Sequence, residues 1–292
     1  MCKFKLIFLL FIYLISIKVS YSQFENIDIG ARSTALSGAF TSLSNNSNAL
    51  FYNPGGLAQL KFREFSVSYS PAPYGMTELS TSAITFAEPT KYGVFGLGFK
   101  NYGYELYREL NAIVNYSNNY DNKIFYGVNL NFYHLSIKNY NTANSIGIDA
   151  GVLAYITEFM RFGFMGKNLT GSTIGQSKEK IAQVYKTGLS FQPQENFNIL
   201  LEVEKDVKFP LSFRAGLEYS FMDYIDLRGG VGTEPSIYSG GIGINYDVIQ
   251  LDYSLHNSVD LGLTHQVGVT VNFGGKKARE MSKDQLKNSF KK

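Results

Sequence analysis

Between residues 62 and 273, apolar and polar side chains alternate with a period of two, for about ten residues at a time. Ile146, Ile148, Ala150, Val152, Ala154 and Ile156 share one face, against Ser145, Gly147, Asp149 and Gly151. Ile124, Tyr126, Val128, Leu130 and Phe132 oppose Gly127, Asn129 and Asn131. Leu211, Phe213, Ala215, Leu217, Tyr219 and Phe221 oppose Ser212, Arg214, Gly216, Glu218 and Ser220, and Val267 to Phe273 repeats the rule. A helix would show a period near 3.6, so each stretch reads as a strand with one apolar and one polar face.

Fourteen such strands are predicted, near 62–70, 78–87, 91–101, 106–117, 122–135, 144–157, 159–168, 181–192, 196–205, 210–221, 224–233, 236–247, 249–256 and 262–273. An even count suits a transmembrane barrel whose two ends emerge on one side. The links alternate in length. Glu88–Thr90, Glu158, Met222-Asp223 and Asp247-Val248 are tight, whereas Asn139–Ala143, Asn168–Lys180 and Asp206–Phe209 are longer and polar. The alternative is a soluble sandwich, which hides its apolar face in a sealed core and uses shorter strands. Here the apolar face continues through every strand, and the opposite face carries charges that a sealed core rejects unless paired. Lipid outside and a hydrated or plugged lumen inside accounts for both, so the expected fold is an all-β outer-membrane barrel. Tyr 21 and Phe 23, with no Trp, supply the aromatics for interfacial girdles.

The polar-face charges cluster in neighbouring strands: Glu202 and Glu204, then Arg214 and Glu218, then Asp226 and Arg228, with Asp252 further round. They read either as a polar lining that holds a plug or guides a solute, or as a ladder of pairs that satisfies a narrow lumen. Catalytic chemistry is not visible. His134, His256 and His265 have no local nucleophile motif; Ser254 and His256 share a face, but a triad needs a third, orienting group. Metal-ligand spacing and a phosphate-binding loop are both missing, Pro235 standing where a third glycine would follow Gly230 and Gly232. No cofactor and no enzymatic activity are expected.

Ahead of the strands lies Gly30–Leu60, small and rich in Ser and Asn, without the alternation. It reads as a compact plug within residues 23–61, the alternative being a plain leader before the barrel. Asn48 is placed to cap a short helical turn Ala49–Tyr52. Asn53 precedes Pro54 and is pushed to extended backbone, and Gly55 and Gly56 allow close approach or positive φ. Residues 1–22 have Lys3 and Lys5, an apolar Leu6–Ile17 and the small residues Ser20 and Ser22: an export signal, too short in its apolar run to be a comfortable membrane anchor. The lone cysteine, Cys2, lies inside it. The net charge of +3 comes from that signal and from a basic tail at 274–292, which leaves the body acidic and gives no reason to expect nucleic acid as a partner.

ARSTALSGAFTSLSNNSNALFYNPGGLAQL resembles the N-terminal signature of FadL-like outer-membrane proteins, nearest the PorV/PorQ branch, with Gly38 and Phe40 in the Gly-Ala-Phe segment and Asn53, Pro54, Gly55 and Gly56 in place of an Asn-Pro-Ala element. LDYSLHNSVDLGLTHQVGVTVNF is similar to the same family's closing hairpin, with Asp252-Tyr253, Thr264-His265 and a terminal Phe273; Gly166-Lys167-Asn168-Leu169 resembles its Asn-Leu strand end. The resemblance implies a location in the outer membrane of a diderm bacterium, with membrane lipid as a partner. It implies a role accessory to type IX protein secretion or surface attachment, with secreted cargo or secretion machinery as partners. The alternative it carries is a FadL-like channel for hydrophobic small molecules, passing them through a gap that the plug controls. Beyond Phe273 the chain continues. Ser282 and Gln285 would open a short helix bearing Leu286 and Phe290, and a solvated tail is the favoured reading.

Overall fold

In the computed structural model the alternating stretches pair edge to edge and close into a ring. The structure describes residues 23–222, 224–275 and 290, so the signal at 1–22 and the helix start at Ser282 and Gln285 lie outside the described residues. The barrel strands are β1 (Glu64–Ser70), β2 (Thr81–Thr90), β3 (Gly93–Gly103), β4 (Tyr107–Tyr120), β5 (Ile124–Ile137), β6 (Thr142–Thr157) and β7 (Met160–Lys167). A two-residue hairpin, β8 (Thr173–Ile174) and β9 (Glu179–Lys180), interrupts the longest link. The ring resumes with β10 (Val184–Gln194), β11 (Phe197–Asp206), β12 (Leu211–Phe221), β13 (Ile225–Gly232), β14 (Ile237–Tyr246), β15 (Ile249–Ser258) and β16 (Gly262–Asn272).

Fourteen strands run in sequence order round the barrel, each antiparallel to its neighbours. Closure comes from β1 against β16, with Glu64 opposite Asn272 and Tyr69 opposite Val267. A closed ring leaves no unpaired edge, which is what strands in hydrocarbon require. No helix among the described residues is long and apolar enough to cross a membrane. The outer face is apolar: Leu97, Val114, Leu130 and Ile148 are register partners in one row, and all are exposed. At the near end, where β1 starts and β16 stops, Tyr92, Tyr120, Tyr224, Tyr246 and Phe273 are exposed as a girdle.

The core sits inside the barrel. Gln23 bridges Ile181 and Phe24 packs edge-on against Tyr133 at 4.9 Å, both at the far end. The chain then descends through the lumen as α1 (Ala31–Ala35), α2 (Ala49–Tyr52) and a 3-10 turn Pro54–Gln59, leaving at the near end into β1. Leu36, Phe40, Leu43 and Tyr52 are buried against Leu200 of the wall; Leu50 and Leu57 are buried against Val94 and Ile113. Two local expectations change. Asn48 precedes α2 but makes no side-chain cap; its Oδ1 accepts instead from Thr85 Oγ1 of the wall at 3.4 Å. Phe290, in the tail read as solvated, packs on Ala58, Phe125, Leu153 and Tyr155, with Lys123 Nζ 5.1 Å from its ring.

Candidate functional site

The plug's contact with the wall is where the unusual chemistry lies. Between Asn26 and Leu60 the only charged residues are Asp28 and Arg32, and each meets a wall residue of opposite sign. Arg32 at the start of α1 donates from Nε to Glu218 Oε2 at 2.7 Å and from Nη2 to Oε1 at 2.8 Å, a bidentate pair. Glu218 Oε2 also accepts from Arg228 Nε at 2.8 Å, and Arg228 donates on to Asp252 at 2.6 Å and Asp226 at 2.8 Å. A second group joins Asp28 to Arg214 at 2.9 Å, Arg214 to Glu204 at 3.2 Å, and Glu204 to Lys186 at 2.7 Å. Glu202 accepts from the Thr41 N–H of the plug at 2.8 Å. Strands β10 to β15 present all of these wall groups from inward positions, and all are buried.

Gly38 has φ +75, and a Cβ there would stand 2.2 Å from Arg214 Nη1, so the guanidinium reaches the Ser37 carbonyl only because residue 38 is glycine. Phe40 packs edge-on to Tyr52 at 5.4 Å, with the Arg32 guanidinium 5.4 Å from its ring. Tyr52 accepts from the Ile29 N–H at 2.9 Å, and burial, followed by Asp28, pushes its phenol well up.

Asn53-Pro54-Gly55-Gly56 docks on β4, β5 and β6. Asn53 is extended, its Oδ1 accepts from Gly55 N–H at 3.1 Å, and its Nδ2 donates to Thr41 O at 2.9 Å and Val152 O at 3.0 Å. Pro54 O accepts from Ser117 Oγ at 3.0 Å. Gly55 and Gly56 do not take positive φ; they permit close approach, a Cβ on Gly56 standing 2.3 Å from Ser44 O. The wall answers in kind. A Cβ on Gly127 would lie 2.6 Å from Pro54 O, one on Gly151 2.2 Å from Asn53 Oδ1, and one on Gly163 2.4 Å from Thr41 O. Inward glycines thus trace the footprint of the plug. Asn53→Ala strands two carbonyls and an N–H, at about 1–3 kcal/mol for each buried group left unpaired. Limited proteolysis within residues 24–63 is expected to accelerate while the barrel survives; Asn53→Asp keeps the acceptor for Gly55 but turns a buried carboxylate oxygen onto two carbonyls, and should be at least as damaging.

The remaining sequence-named residues lie elsewhere. Thr264 Oγ1 accepts from Tyr74 N–H at 3.1 Å, and His265 Nδ1 pairs with Tyr253 Oη at 2.7 Å on the outer face. Phe273 is exposed, 6.0 Å from the Arg63 guanidinium. Ser254 and His256 face the lumen, and His256 Nδ1 pairs with Ser239 Oγ at 3.0 Å. Among the described residues no group of three His, Cys, Asp or Glu could hold a metal ion. Sequence reasoning missed Asp28, Arg32, Lys186 and Gln59, whose Oε1 accepts from Tyr155 Oη at 2.9 Å. The signal for the first two was present: two charges isolated in an uncharged stretch.

The plug packs closely against the inner wall. A void between it and strands β3 to β7, lined by Ile27, Ile29, Lys100, Asp149 and Lys167, measures about 20 Å³, room for one water.

No protein-family model matches the chain, and no curated protein matches it. Solved structures do. The CymD monoaromatic hydrocarbon channel superposes with TM-score 0.66 at 11% identity, over 86% of this chain and 99% of that one. The Pseudomonas putida toluene transporter TodX gives 0.66 at 12%, over 84% and 98%, and a Pseudomonas aeruginosa FadL homologue gives 0.62 at 10%, over 85% and 99%. At 10–12% identity the likeness is one of fold: this chain shares its barrel architecture with those structures.

Proposed function

We propose that this chain is an outer-membrane channel for hydrophobic small molecules, held shut by its own N-terminal segment. One observation carries the reading: a barrel whose lumen is occupied by its own N-terminal segment, tied to the wall by charge pairs and hydrogen bonds beside its apolar contacts. The similar structures are described as hydrocarbon channels and a toluene transporter. They favour the channel alternative over the secretion-accessory expectation, which rested on the PorV/PorQ resemblance and has no counterpart among them. The residues at work in this reading position and release the plug. Asp28 and Arg32 hold it at the charged side of the wall, and Asn53 to Gly56 hold it at the glycine side.

The test is uptake of radiolabelled toluene and of a long-chain hydrocarbon by cells whose own channels are deleted. Expression of this chain is expected to raise uptake of at least one of them above that given by an unrelated barrel. Uptake of both solutes no higher than that given by the unrelated barrel overturns the proposal. Surface proteins retained in the periplasm of a deletion strain, with solute uptake unchanged, would restore the secretion reading.

A further inference from the structure

The membrane-facing wall is not uniformly convex. Phe99, Ala112, Phe132 and Ile146 are successive register partners across β3, β4, β5 and β6, and all four point outward. Ala112 is the one small side chain in that row, between two phenylalanines. With Leu110 beside it, the result is a notch of about 630 Å³ in the lipid face. That lies within the range of small-molecule sites, about 300–1,000 Å³. The next outward row toward the far end is mostly polar. His134 is the register partner of both Leu110 and Asn144, and His134 Nδ1 pairs with Asn144 Oδ1 at 2.7 Å. One step further along β4, on the same face, stands exposed Arg108, about 7 Å along the strand from Leu110. No ion pair to Arg108 appears among those of the described residues.

We propose that this notch is a binding site for a phosphate-bearing membrane lipid, one acyl chain lying over Ala112 and the phosphate meeting Arg108. Three features select this occupant over bulk lipid. The notch is on the surface that faces hydrocarbon, so an apolar chain is the available filler. Its polar end lies toward the strand ends, where headgroups sit. The exposed cation next along β4 is a guanidinium, whose planar fork matches phosphate oxygens. The inference concerns the outside of the barrel and stands apart from passage through its lumen.

The experiment is native mass spectrometry of the full-length protein in detergent, titrated with phosphatidylglycerol and, separately, with a phosphate-free diacylglycerol of the same chains. Wild type is expected to retain one phosphatidylglycerol in preference to the diacylglycerol. Ala112→Phe fills the notch and should weaken that binding by about tenfold or more. Arg108→Gln should erase most of the preference for phosphate while leaving chain binding. Val114→Phe, one outward row away and outside the notch, controls for added bulk and should change nothing. Should Ala112→Phe fail to assemble, Ala112→Leu serves the same purpose. Equal retention by wild type and the filled variant overturns the site, and equal binding of the two lipids overturns the phosphate contact.

Discussion

Glu218→Ala is expected to lower the stability of the plugged barrel by about 3–5 kcal/mol, the usual cost of removing one partner from a buried charge pair. The carboxylate lies between two guanidiniums, Arg32 of the plug at 2.7 Å and Arg228 of the wall at 2.8 Å. Its loss leaves Arg32 with the neutral Asn45 at 2.8 Å, whereas Arg228 keeps Asp226 and Asp252. The stranded charge is therefore on the plug, and the plug should loosen first. Arg32→Met removes the plug cation but leaves Glu218 paired with Arg228, so it should cost less while also freeing the plug. The exposed pair Arg63–Glu88, at 3.0 Å, is the contrast; Glu88→Ala should cost below about 1 kcal/mol. With no Trp in the chain, unfolding is followed by circular dichroism and by heat-dependent gel mobility. A loss under about 1 kcal/mol for Glu218→Ala would mean that these charges are solvated ladder groups and not a clamp.

The wall was legible because parity is local. Once Leu251, Tyr253 and Leu255 are assigned to lipid, Ser254 and His256 must face the lumen, and they do. Strand ends shifted by a few residues where turn chemistry decides: the residues after Met76 form a 3-10 turn, and β2 begins only at Thr81. What the sequence withheld is relative rotation across the lumen. Asp28 and Arg214 are separated by 186 residues and meet only because the ring closes around the descending plug. Lys186, one more inward group on an alternating strand, gains meaning only beside Glu204. Gly127 and Gly151 likewise read as fillers of a polar face. Their role depends on a segment some 70 to 100 residues upstream pressing against them. Phe290 shows the same limit: with Leu286 it is visible as an apolar residue of the tail, but nothing local in a charged tail says that it packs on Ala58.

Gly127→Val should open the lumen without dismantling the wall. The added Cβ would stand 2.6 Å from Pro54 O, 2.7 Å from its carbonyl carbon and 2.9 Å from Gly55 N. All three are backbone atoms, so no side-chain rotation relieves the clash. Overpacking of this kind costs about 1–3 kcal/mol or more, and the weaker partner yields. On one side stands a strand paired along its length, Gly127 lying opposite Ser117 of β4 and Gly151 of β6. On the other stands a turn held by Asn53 and one bond from Ser117. The turn should move. Efflux of a small hydrophilic dye from proteoliposomes and protease cutting within residues 24–63 are both expected to rise several-fold over wild type. Gly229→Ala is the matched control: it lies on the outward face, its Cβ would come no nearer than 3.9 Å to Ser239 O, and neither signal should change. Dye retention and protease resistance like wild type in Gly127→Val would mean that the wall, not the plug, gives way, and that the glycine track is packing rather than a seat from which the plug can lift.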